Sequence, residues 1–66
     1  MHDRIEIRAD IQHGKPVIKG TRVPVTRLVA AVAWDMSFAE IAREYDVEVE
    51  DIRAALVFAN EMRPPT

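Results

Sequence analysis

The chain has 66 residues, 48% of them hydrophobic and 30% charged, with no cysteine and a formal net charge of −2. A chain this short is capped at one small domain, residues 1–66, whose core supplies about 3–5 kcal/mol at best, and without cysteine neither disulfides nor thiolate metal sites can staple it. The composition excludes a disordered tail, and the longest uncharged apolar stretch, Leu28 to Trp34, falls far short of the ~20 residues of a membrane span.

Arg4-Ile5-Glu6-Ile7-Arg8 alternates charged and apolar side chains, the pattern of a strand with one wet and one dry face. His13-Gly14-Lys15-Pro16 predicts a turn, Val17-Ile18 a short extended piece, and Gly20-Thr21-Arg22-Val23-Pro24 a second break, with Pro24 at the threshold of a helix. Such short strands must pack on helices or pair with a second copy. From Val25 the period becomes helical. Val25, Leu28, Val29 and Val32 form one face, while Ala30, Ala31, Ala33 and Trp34 fill most of the rest, so this helix is expected to be surrounded by protein. Ser37-Phe38-Ala39-Glu40 is a capping box that starts a second helix at Phe38, ending near Glu44 or Tyr45. After a turn at Asp46-Val47-Glu48, a third helix runs from about Val49 to Glu61 with Ile52, Ala55, Leu56 and Ala59 as its stripe, and the prolines after Arg63 end it.

The expected fold is therefore mostly α, a strand and turn region (1–24) followed by a three-helix region (25–62). A short helix, a turn and a longer helix form the helix-turn-helix arrangement. Ile41, Tyr45, Ala42, Val47, Ile52 and Ala55 suit its packing, with a plain three-helix cluster as the alternative. The groove-facing positions of such a motif are Glu48, Glu50, Asp51, Arg53, Ala54 and Val57, where three carboxylates oppose phosphate, although acids there also favour the helix dipole. Ala54, Val57 and Phe58 fall opposite the core stripe and read as an apolar strip for a protein partner or a second copy. In the alternative, Phe58 folds back beside Met62 against the first helix.

Residues 1–27 carry six basic side chains against three acidic, and residues 28–66 three against eight. Candidate nucleic-acid contacts are thus Arg4, Arg8, Lys15, Lys19 and Arg22, which a homodimer would double, while the acidic half suits a basic protein partner. A solvated charged face is the plainer reading. Neither His2 nor His13 has a metal-ligand partner in the sequence, and Pro16 removes an N–H that a phosphate loop needs. Ser37 is accounted for as a cap. A non-enzyme without metal or cofactor is expected.

The string Gly14-Lys15-Pro16-Val17-Ile18-Lys19-Gly20-Thr21-Arg22-Val23-Pro24-Val25, together with Ser37 to Ile41 and Glu50 to Leu56, resembles the bacterial and archaeal domain-of-unknown-function family 433 over about residues 4–60. The resemblance implies a winged-helix-like or homeodomain-like helix-turn-helix fold. It also implies a VapB-type antitoxin of a type II toxin–antitoxin pair, partnered by a PIN-like ribonuclease toxin, that also represses its own operon. The chain departs from the family at Asp35, where Gly is common, and at Glu48, where Thr or Ser usually caps. On this reading the protein is a cytoplasmic, homodimeric antitoxin; the alternative is a stand-alone DNA-binding regulator contacting operator DNA. Because a PIN-like site is acidic, the blocking group should be basic, with Arg63 or the arginines of the basic half as candidates. Arg63→Ala is then expected to weaken inhibition, and full protection of RNA by that variant in a cleavage assay would count against the role.

Overall fold

Alternation between Arg4 and Arg8 produces strand β1 over Ile5–Ile7 in the computed structural model, which describes residues 2–62. The strand is shorter than predicted, and the two arginines flank it. β2, Pro16–Ile18, returns antiparallel with Ile5 opposite Ile18 and Ile7 opposite Pro16. Pro16 is tolerated because a two-stranded sheet consists only of edges. Between the strands the backbone bends through a left-handed turn at Gln12, His13 and Gly14, with φ of 50°, 57° and 82°. A Cβ at Gly14 would meet nothing within 4 Å, so glycine serves the backbone angle there rather than a close approach.

The predicted dry face of β1 is only one residue long. Ile5 packs against the core, whereas Ile7 is 62% exposed because that end of the hairpin overhangs the helices. β2 is buried more completely. The break after it doubles back: the Ile18 N–H donates to the Val23 carbonyl (2.9 Å), the Thr21 hydroxyl donates to the Ile18 carbonyl (2.8 Å), and Pro24 bridges to Val17. Val17 and Ile18 are both enclosed as a result.

Helix α1, Val25–Ala33, follows Pro24 directly and buries Val25, Leu28 and Ala31. Its periodicity is as read, but the expectation of a helix surrounded by protein needs correction. Ala30, Ala33 and Trp34 face water, since among the described residues α2, α3 and β2, the main neighbours of the helix, cover only part of it. Helix α2, Phe38–Tyr45, starts at the predicted box: the Glu40 N–H donates to Ser37 Oγ (3.1 Å) and the Ser37 N–H to Glu40 Oε1 (2.9 Å). Helix α3 is Val49–Glu61. Ile18, Val25, Leu28, Ala31, Ile41, Ile52 and Ala55 form one core where the hairpin and three helices meet. No helix among the described residues is long and apolar enough to cross a membrane.

Both helix-to-helix links turn on an aspartate in the left-handed region, Asp35 at φ 66° and Asp46 at φ 55°. Glycine takes this conformation without a Cβ clash. Asp35→Gly is therefore expected to stabilise the fold by about 0.5 kcal/mol, read as a raised thermal midpoint; a lowered midpoint would contradict the strain. The Ser37 backbone N–H, and then its hydroxyl, hold the Glu40 carboxyl below its ordinary value of 4.5. A depressed carboxylate stabilises the fold fully above that value and loses its contribution as pH falls through the lower folded value. Thermal midpoints measured across an acid series should fall below about pH 4.5, and Glu40→Gln should show a shallower fall than the parent chain.

Candidate functional site

Arg4 lies where the hairpin begins and reaches the first turn of α3. Its Nη1 donates to Asp51 Oδ1 at 2.9 Å and to Glu48 Oε1 at 3.0 Å. The other Asp51 oxygen accepts the Glu48 N–H at 2.9 Å. Asp51 therefore caps its own helix and holds the hairpin at once, and at 9% exposure it is the buried charged residue among those described. The two carboxylates, Asp51 more than Glu48, push the Arg4 guanidinium further above its already high ordinary value. Arg4 is thus engaged inside the fold, and its reading as a free nucleic-acid contact is not supported by its surroundings.

Arg8 is engaged too. Its Nε and Nη2 meet the two Asp10 oxygens at 3.2 and 3.1 Å, a forked pair. Those bonds, chiefly, hold the Asp10 carboxyl below its ordinary value, with its own backbone N–H and the charge of Arg22 adding to the effect. Lys15, Lys19 and Arg22 are exposed, and among the described residues none of the three has an ion-pair partner. Five predicted cations therefore divide into two that are neutralised and three that face solvent.

The outward side of α3 is a shallow groove of about 360 Å³, in which Ala54 and Val57 lie among Asp3, Arg4, Glu50, Arg53 and Glu61. Val57 is 54% exposed. Arg53 faces Glu50 across 3.7 Å, one turn apart, so the single guanidinium of this helix is also partly offset. A major groove would meet carboxylates here.

Phe58 does not continue the strip. It lies roughly 120° around the helix from Ile52 at 100° per residue, on the same side as Asp51, and there the hairpin and the start of α1 widen the buried arc. Phe58 is half-buried and packs against the core, and it shares a hollow of about 280 Å³ with Pro16, Val25, Thr26, Ala59 and Met62. This is the folded-back alternative. His2 closes over it, edge-on to the Phe58 ring at 4.9 Å between centroids, with Nε2 2.6 Å from Glu61 Oε1. A histidine beside the chain start carries no sequence signal of that contact. Arg63 lies outside the described residues. Among the described residues no group of three histidine, cysteine or acidic side chains is placed to hold a metal.

No curated protein and no solved structure matches the chain. Residues 5–59, from the first strand to the last turns of α3, match the family model described as Protein of unknown function (DUF433). That span includes the hairpin, the glycine and proline turns, both aspartate links and the residues of the Arg4 clasp other than Arg4 itself, and the chain belongs to this family.

Proposed function

We propose that this protein is a cytoplasmic antitoxin of a type II toxin–antitoxin pair, binding and blocking a PIN-like ribonuclease. The family likeness suggests the class, and the surface chemistry supports a protein partner over a groove-reading helix. Trp34 carries the reading. The residue is the C-cap of α1, bonded there through its backbone N–H, and stands 82% exposed. A large indole held in water contributes nothing to the core, while tryptophan is among the residues that dominate protein interfaces when covered. Val57 on α3 and Ile7 at the hairpin end add further apolar surface in water. With Arg4 and Arg8 engaged, Arg22, Arg27 and Arg63 remain the basic candidates for the acidic site of the partner.

Operator binding is the second reading. The short α2, the three-residue turn and the longer α3 have helix-turn-helix lengths, but the exposed cations without an ion-pair partner among the described residues are Lys15, Lys19, Arg22, Arg27 and Arg43, all outside α3. The two readings separate by salt, because a phosphate-driven contact weakens steeply with ionic strength.

The test is co-expression with a neighbouring PIN-like reading frame, with complex formation and RNA cleavage as readouts. Trp34→Ala is expected to weaken the complex at least about tenfold, as loss of an interface anchor does, with helix content unchanged by circular dichroism. An unaltered affinity in a Trp34→Ala, Val57→Ala double variant would sink the proposal.

A further inference from the structure

Beside the second chain break lies a concavity that none of the above uses. Gln12, Arg22, Val23, Pro24, Arg27 and Tyr45 line it, with a volume of about 270 Å³. Three separate segments build it: the left-handed turn, the 21–24 break running into α1, and the end of α2. Its parts are held in place. The Gln12 side-chain amide donates to the Arg22 carbonyl at 3.1 Å, and the Arg27 N–H donates to the Pro24 carbonyl at 3.0 Å.

Charge around it is unbalanced. Arg22 and Arg27 have no ion-pair partner among the described residues, and α1 has no acidic residue in its first turn. Asp10 is the carboxylate whose charge Arg22 senses, and Arg8 already occupies both of its oxygens. Arg22 from the break and Arg27 from α1 thus line one space, and neither is ion-paired among the described residues. Guanidinium forks favour carboxylate or phosphate. The remaining wall decides between them, since Val23, Pro24 and the Tyr45 ring give it an apolar, aromatic surface that a sugar or base covers and a bare carboxylate leaves wet. The volume lies just under the roughly 300 Å³ at which drug-sized sites begin, the scale of a single nucleotide unit. In a duplex the base faces are stacked away, whereas a single strand offers them.

We propose that this pocket binds one nucleotide of a single-stranded nucleic acid, its phosphate held between Arg22 and Arg27 and its sugar or base laid against Tyr45. The site shares Arg22 and Arg27 with the antitoxin reading but takes a different ligand, and it differs from operator binding, which requires a duplex. Arg27 belongs to the basic half, residues 1–27, but not to its candidate contacts, and Tyr45 reads from the sequence only as a packing residue.

Titration calorimetry of the full chain with a short oligothymidylate tests the assignment. Binding is expected, with a log–log salt slope of about −0.7 per neutralised phosphate. Arg22→Gln and Arg27→Gln should each weaken binding about tenfold and flatten that slope, while Arg53→Gln on the opposite groove should leave both unchanged. Circular dichroism verifies that each variant is folded. Absence of binding would overturn the proposal, as would unaltered affinity in both pocket variants; variants that lose the oligonucleotide but retain duplex binding would support it and leave the operator reading to Lys15 and Lys19. Thymidine monophosphate or inorganic phosphate binding as tightly as the oligonucleotide would overturn the strand assignment in favour of a free ligand. Displacement by polyglutamate at equal charge would overturn it in favour of a protein carboxylate.

Discussion

The clasp of Arg4 on Asp51 and Glu48 is the constraint around which the molecule is arranged. A hairpin of two three-residue strands has too little surface to fold alone, and a helix beginning at Glu48 lacks a strong capping side chain. Each supplies what the other needs. Asp51 satisfies the Glu48 N–H with one oxygen and the guanidinium with the other, so the same carboxylate starts α3 and fixes the hairpin across its end. Burial of a charge is costly unless it is paired, and that cost makes the clasp selective for one placement of β1.

Fixing the hairpin there determines the remaining surface. Ile5 and Ile18 close one side of the core, and Phe58 is drawn in under His2. Charges that composition alone would count as a basic half are absorbed unequally: Arg4 reaches across to the carboxylates of α3 and Arg8 pairs with Asp10 at the surface, while Lys15, Lys19, Arg22 and Arg27 have no ion-pair partner among the described residues. The electrostatic footprint is thereby displaced from the strand to the loops and the first turn of α1. On α3, where a groove-reading helix would carry its cations, carboxylates and one offset arginine remain.

Much of this architecture is written in local chemistry. The Ser37 and Glu40 box marks the start of α2, period two marks β1, the prolines and glycines mark the breaks, and Ile41, Ile52 and Ala55 are core because their spacing leaves them no other place. Two things were not legible. Helix periodicity places residues around a cylinder but not the edges of the arc that neighbours cover, so Phe58 and Trp34 exchanged roles: one was drawn in by the hairpin and the other left out. Charge counting likewise sees sign without geometry. The partners of Arg4 lie more than forty residues away, and Arg27 and Tyr45 line one hollow only because α1 and α2 pack together. The pocket they share is a product of tertiary packing, with no linear motif.

Trp34 has a further consequence for how this protein can be observed. It is the only tryptophan in the chain, so the whole indole emission comes from one site already bathed in solvent. Unfolding moves that ring from water to water and leaves its colour nearly unchanged, whereas any macromolecule that settles over the end of α1 dries it and shifts the light toward the blue. The molecule thus carries an intrinsic optical gauge that is almost blind to its own denaturation and sensitive to being covered.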